Sequence, residues 1–329
     1  MQGFHVMWSA PSVQGKHRSS LEEKFKAPAS HDDEHYSLPD YDILLTILSV
    51  LKWKQLNGTI KLYGDSRAVS YYAQLGMLEL WDAYNTEALD GIDCDEINPS
   101  LFWSAGKFFA LLNEPSPSVY LDLDMVIWRN LEKFHDGDAD ARCTHWEAVD
   151  DSSWYCRIEN LRRAPDYEFK RGLDMDYPLA ANTSIIYFKN EALKNYYASE
   201  ALRFMRNNCR GMTFPNAATP EMLFAEQRLL PLCAKETDSL LLPYIDVVWS
   251  ASRSCFEPPN LELNVWRFYS IRNQPLLTHT WHYKRHIEVE PTVRRQYCLD
   301  LVNAILEEFP QQFGLLQNID FLRKYLPDA

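Results

Sequence analysis

Residues 118–130 read SVYLDLDMVIWRN, an apolar run that ends on two aspartates one residue apart, Asp122 and Asp124. Side chains two positions apart in an extended chain point the same way, so the two carboxylates share a face at the carboxyl end of a strand. Their oxygens are hard donors that suit Mg²⁺ or Mn²⁺, and such ions keep positions open for substrate phosphates. The pair therefore reads as part of a metal–diphosphate site, with a solvated strand end as the alternative.

The elements around the pair decide how much weight it carries. Phe4 to Trp8 reads as a first strand, followed by a long polar segment from Ser9 to Asp40 of the kind that forms lids and binding loops. A helical pattern over Tyr41 to Gln55, a strand at Thr59 to Tyr63 closed by Gly64-Asp65, and a helix near Arg67 to Leu75 then predict parallel βαβ winding. Asn98-Pro99 has the residue types of a helix start, and Leu101, Phe102, Ala105, Phe108, Phe109 and Leu112 recur at helical spacing. Pro115 and Pro117 end that pattern, and Val119 to Leu121 begins the strand that carries the aspartates. Ligands in open α/β sheets bind beyond the carboxyl ends of the strands, which is where this order puts Asp65, Asp122 and Asp124. Asp65 is a candidate contact to a nucleoside and Trp8 a candidate base-stacking ring, although an aromatic in a first strand more often fills core.

Further along, a strand is expected at Thr183 to Phe188 and a helix from Glu191 to about Asn207. Another helix opens at Thr219-Pro220-Glu221 and runs through Leu230, and helices near Val293 to Glu308 and Leu315 to Tyr325 close the chain. There is no internal repeat and no linker that demands a second domain. The expectation is one α/β domain over 1–329: a mostly parallel sheet flanked by helices, with a nucleotide-binding half to about 130 and an acceptor-binding half with C-terminal helices over about 131–329.

Composition narrows the partners. A net charge of -13 argues against nucleic acid, whose binding draws on clustered Lys and Arg, but allows a metal-held nucleotide. The longest apolar stretch, Tyr41 to Trp53, is too short and interrupted to span a bilayer. The start MQGFHVMWSAP lacks the basic flank and small-residue cleavage site of a signal peptide, so a cytoplasmic location is expected. Seven scattered cysteines without a C-x-x-C pair read as reduced structural thiols.

An apolar strand that ends in Asp-x-Asp after about 115 residues of βαβ-like pattern resembles the nucleotide-diphospho-sugar glycosyltransferases of the GT-A fold, which is Rossmann-like, and within them the glycogenin-like retaining type. The resemblance implies a place for Lys107, a basic residue on the helix 15 residues before Asp122, as a diphosphate contact. It implies that Asn182, leading the strand Asn182-Thr183-Ser184-Ile185-Ile186, and the acid–amide pair Glu226-Gln227 face the sugar or acceptor. It also implies that a C-terminal His completes the metal site and a basic residue follows for the diphosphate; the segment Leu277-Thr278-His279-Thr280-Trp281-His282-Tyr283-Lys284 supplies both. The usual glycine after the metal His is absent, which leaves His279 and His282 as alternatives.

On that likeness the expected chemistry is transfer of a sugar from a nucleotide-diphosphate donor, a UDP-sugar first, to a carbohydrate, lipid-linked or protein acceptor. Mn²⁺, or Mg²⁺, held by Asp124 and His279, with Asp122 either a ligand or a contact to the ribose, would act as Lewis acid on the departing diphosphate. Lys284 would add positive charge at the same oxygens. Retention is expected, since a C-terminal metal His is usual in retaining members. The histidines His279, His282 and His286 lack the cysteine or acid spacing of a zinc site. Two other readings compete. In a haloacid-dehalogenase-like phosphatase, Asp122 of Asp122-Leu123-Asp124-Met125-Val126 would be the nucleophile, although that motif normally lies on a first strand. A non-catalytic sugar- or nucleotide-binding module would keep the fold without turnover.

Overall fold

In the computed structural model the described residues are 1–10, 36–150, 154–155, 158–161, 164, 167–170, 173–208, 219–250, 252–253, 255–257, 271, 276–280 and 284–327. The strands are β1 (Gln2–Met7), β2 (Ile60–Gly64), β3 (Ala83–Asn85), β4 (Ser118–Leu121), β5 (Met125–Ile127), β6 (Ala141–Cys143), β7 (Trp146–Ala148), β8 (Leu179–Ala181), β9 (Ile185–Phe188), β10 (Leu241–Pro243), β11 (Val248–Ser250), β12 (Cys255–Glu257) and β13 (Leu277–His279). The helices used below are α1 (Asp40–Leu56), α2 (Ser66–Gln74), α3 (Ala105–Asn113), α4 (Glu191–Asn207), α5 (Thr219–Leu223), α6 (Leu229–Glu236), α7 (Lys284–Val289), α8 (Pro291–Glu308) and α9 (Phe313–Asn318). The fold is mixed α/β, with a large, mainly parallel sheet flanked by helices. Its contacts divide into two compact units: 1–86, 121–131 and 261–329 form the first, and 87–120 and 132–260 the second.

In the first unit β1, β2 and β3 lie side by side and parallel, Gly3 opposite Ile60 and Lys61 opposite Ala83. β1 is mostly buried along its length, as a strand covered on both faces must be. Helix α1 is apolar nearly all round and buried from Asp40 to Trp53 except at Asp42, so it is a core helix rather than an amphipathic one. It packs on β5 and α8. Trp53 sets the sequence of β1, because a Cβ on Gly3 would come within 2.5 Å of the indole. Asp65 ends β2 and caps α2 by accepting from the Ala68 amide at 2.9 Å, a contact that contributes about 1 kcal/mol. The first turn of α1 gathers later segments: Asp40 accepts from the Arg294 and Tyr325 side chains, and Tyr41 Oη donates to Glu288.

In the second unit β6 pairs parallel with β10 and antiparallel with β9. A smaller sheet has the order β12-β11-β7-β8, with β7 antiparallel to β8 and parallel to β11. Helix α4 begins where the sequence places it, capped by Asn190 accepting from the Leu193 amide at 3.1 Å, and it packs on α3 and α6.

One expectation is corrected. Helix α3 begins at Ala105, not at Asn98-Pro99; Asn98 instead turns the chain, its side chain accepting from the Ser100 amide and its carbonyl from the amides of Leu101 and Phe102. Lys107, off the apolar stripe of α3, is buried, because Thr183, Glu226 and the Tyr120 ring surround its ammonium.

Candidate metal and substrate sites

β4 ends at Leu121, and the Met125 amide donates to the Asp122 carbonyl at 3.0 Å, so Asp122-Leu123-Asp124 is a tight turn that leads straight into β5. β13 runs antiparallel to β5 with His279 opposite Met125, which brings the imidazole to the turn. His279 Nε2 lies 3.6 Å from Asp122 Oδ2 and 3.6 Å from Asp124 Oδ1. One ligand atom from each of the three residues falls within 4.8 Å of the others, and among the described residues this is the group able to hold a metal ion. A carboxylate–carboxylate–imidazole donor set fits a first-row divalent ion such as Mn²⁺ better than Mg²⁺ alone.

α7 starts just past β13 and brings Lys284 to the same turn, its Nζ 3.1 Å from Asp124 Oδ2 and 2.8 Å from Asp42 Oδ1 on α1. Within the cluster of Asp42, Asp122, Asp124 and Lys284, three carboxylates face one ammonium, an imbalance that a divalent cation neutralises. Burial pushes the Asp124 carboxyl up, but Lys284 and His279 outweigh it and hold it at about 2. Burial wins at Asp42, whose carboxyl is raised although Lys284 sits beside it. Burial also acts to lower the Lys284 ammonium, and Asp124 and Asp42 more than reverse it. The two aspartates of the turn are unequal: the Asp122 side chain is 29% exposed and that of Asp124 11%.

The turn is backed by a neutral chain of hydrogen bonds. Ser49 Oγ on α1 donates to the Met125 carbonyl, so His5 Nε2, 3.1 Å away, must carry the hydrogen that Ser49 accepts. His5 Nδ1 in turn accepts from Trp81 Nε1 at 3.3 Å. Elsewhere in this unit Trp8 is buried. Asp65 is also engaged on both oxygens, Oδ1 by the Ala68 amide and Oδ2 by the amide and hydroxyl of Ser9 at 2.7 Å each. His282 and most of the segment after Ser9 lie outside the described residues.

The other candidates meet in the second unit. Phe224–Arg228 is a turn of π-helix between α5 and α6, a one-residue widening that recurs at functional sites, and it carries Glu226 and Gln227. Glu226 Oε1 pairs with Lys107, whose Nζ also donates to the carbonyl and Oγ1 of Thr183 at 3.2 and 3.3 Å. All three ammonium hydrogens are thus used inside this unit. Gln227 meets the phenol of Tyr155. Asn182 donates to Glu147 Oε1 at 2.7 Å and accepts from Ser184.

Sequence reasoning missed Asp42, Glu147 and Tyr155. Asp42 had one signal, a second acid in the first turn of a helix whose middle is mostly apolar. Glu147 had another: His145 and Glu147 are two apart on an extended segment and so share a face, and their side chains lie 3.6 Å apart.

No family model matches the chain, and no curated protein matches it in sequence. Among solved structures, mouse xyloside xylosyltransferase 1 in its apo form is similar with a TM-score of 0.36 and 12% identity, over 73% of this chain and 84% of that one. The glycosyltransferase GlyE of Streptococcus pneumoniae TIGR4 is similar with a TM-score of 0.36 and 9% identity, over 85% of this chain and 54% of that one. Likenesses this distant carry no functional argument. No helix among the described residues is long and apolar enough to cross a membrane.

Proposed function

We propose that the protein is a metal-dependent glycosyltransferase that moves a sugar, with retention, from a nucleotide-diphosphate donor, a UDP-sugar first, to a carbohydrate, lipid-linked or protein acceptor. The observation that carries this reading is the convergence of Asp122, Asp124 and His279 on one point with Lys284 beside them. Asp124, the more buried acid, holds the ion directly, and Asp122, the more exposed, divides between ion and ribose. A divalent ion bound there supplies Lewis-acid stabilisation to the departing diphosphate. Lys284 adds a cation aimed at the same oxygens, held in place from behind by Asp42. Asp65 and Trp8, at the carboxyl ends of β2 and β1, shape the nucleoside end, Asp65 by fixing Ser9. In the second unit Asn182, Glu226 and Gln227 serve the sugar and its acceptor, and Lys107 contributes its charge through Glu226.

The test is release of nucleotide diphosphate from UDP- and GDP-sugars with Mn²⁺. Release that requires the metal and disappears in Asp124→Ala supports the proposal. Saturable nucleotide binding without turnover would replace it with the binding-module reading, and phosphate release from simple monoesters with the phosphatase reading.

A further inference from the structure

Glu147 is the hub of the polar cluster in the second unit. Its side chain is only 12% exposed, and among the described residues it has no lysine or arginine partner. Burying a carboxylate is costly unless its oxygens are satisfied, and here three side chains do that work: the His145 imidazole, its Nε2 3.6 Å from Oε1, Asn182 Nδ2 at 2.7 Å on Oε1 and Tyr155 Oη at 2.7 Å on Oε2. Burial raises the Glu147 carboxyl, but the hydrogen bonds from His145, Asn182 and Tyr155 outweigh it and hold it below its ordinary value.

The geometry also fixes what the neighbours do. Tyr155 has one hydroxyl hydrogen and touches both Glu147 and Gln227. The contacts close if that hydrogen goes to Glu147 and Gln227 turns its NH2 toward the phenol oxygen, leaving the Gln227 carbonyl oxygen to accept from elsewhere. Asn182, bonded to Ser184 on its oxygen and to Glu147 on its nitrogen, is a rigid strut. The cluster's other carboxylate, Glu226, is neutralised by Lys107. Glu147 therefore brings the strongest hydrogen-bond acceptor of the cluster whose charge is not matched by a lysine or arginine.

We propose that Glu147 is a saccharide-contacting residue that accepts a hydrogen bond from a sugar hydroxyl, with Gln227 as its partner acceptor and Asn182 and Tyr155 as positioning residues. A carboxylate has about four lone-pair sites, so the contacts from His145, Asn182 and Tyr155 leave capacity for a hydroxyl. An ionised acceptor suits a hydroxyl-rich ligand and excludes an anionic one from this point. The proposal rests on the glycosyltransferase reading above, and it names the substrate contact that reading lacks.

The experiment measures two affinities on the full chain: UDP with Mn²⁺ by calorimetry, and methyl glycosides of glucose, galactose and xylose by saturation-transfer NMR. The variants are Glu147→Gln, which keeps the Asn182 bond on its carbonyl oxygen and donates from its amide to the Tyr155 oxygen once the phenol turns its hydrogen to Gln227, and Tyr155→Phe. Glu147→Gln is expected to weaken the glycoside that binds wild type by roughly 10- to 100-fold, the worth of a hydrogen bond to a charged acceptor, while UDP affinity stays unchanged. Tyr155→Phe is expected to weaken the same glycoside by a smaller factor, again without touching UDP. Equal glycoside binding in wild type and Glu147→Gln overturns the proposal, and so does wild type that binds none of the glycosides. Glycoside binding lost in Glu147→Gln, from a wild type that neither binds UDP nor turns over a donor, would leave Glu147 standing and overturn the transferase reading instead.

Discussion

His5 lies two hydrogen bonds behind the aspartate turn, and its protonation would put a second donor opposite Trp81 Nε1, where the structure has an acceptor. Burial lowers its pKa to about 3, against the upward pull of Asp124. The unfolded chain carries a histidine that titrates near 6.5, so the unfolded state binds this proton first. Stability from a neutral His5 is full above that value and falls as pH drops toward 3, at about 1.4 kcal/mol per pH unit. Between pH 7 and pH 5 the expected loss is about 2 kcal/mol, and over the whole window on the order of 5 kcal/mol. The perturbation is His5→Gln, which keeps a donor for Ser49 and an acceptor for Trp81 but cannot take up a proton. Urea unfolding of wild type and variant at both pH values gives the difference directly. The variant should lack about 2 kcal/mol of the wild-type acid loss, whatever its stability at pH 7. Equal acid losses in the two proteins, or an imidazole NMR titration of His5 with a midpoint near 6.5, would refute the reasoning.

Other perturbations test the remaining links. Removing the ammonium in Lys284→Met leaves Asp42 and Asp124 facing each other, and should cost about 3 kcal/mol in urea unfolding, with part of it recovered by adding Asp42→Asn. Lys107→Met and Glu226→Gln should each destabilise, and the double variant should lose at least about 1 kcal/mol less than their sum, since each single change strands one buried charge. Mn²⁺ at about 100 times its dissociation constant should stabilise wild type by about 2.7 kcal/mol and leave Asp124→Ala unmoved; an equal thermal shift in both would exclude the aspartate turn as the metal site.

The sequence made the aspartate pair visible because an apolar run that ends on two acids is a local signal, but the pair converges through the tight turn after β4 and not through the alternation of a strand. Helix α4 was legible for the same reason, with Asn190 and Glu191 marking its start. What brings His279 to the pair is not local. It depends on β13 finding β5 across about 150 residues, and three-residue strands are too short to display a period. Glu147 was hidden likewise: β7 has three residues, and its partners Tyr155 and Asn182 come from a bend and a strand edge. Asn98-Pro99 misled because the right capping residues appear in a turn whose hydrogen bonds close on themselves before α3 begins. The burial of Lys107 was not legible at all. Burial of a lysine depends on whether distant groups satisfy it, and no helical stripe records that.

The π-helical turn at Phe224–Arg228 has a consequence for how this chain tolerates change. Such a turn is an α-helix carrying one residue more than its ladder needs, so a single-residue deletion there yields a more regular backbone. Because the wide turn has already taken up that residue, the helical segments on either side keep their phase, and the deletion displaces the side chains of the turn itself. Glu226 and Gln227 would swing off Lys107 and Tyr155 while α6 kept its length. Length variation at this point is therefore a sharper functional probe than most point substitutions: the helix would survive the loss of a residue, and the side chains aligned by the extra one would not stay where they are.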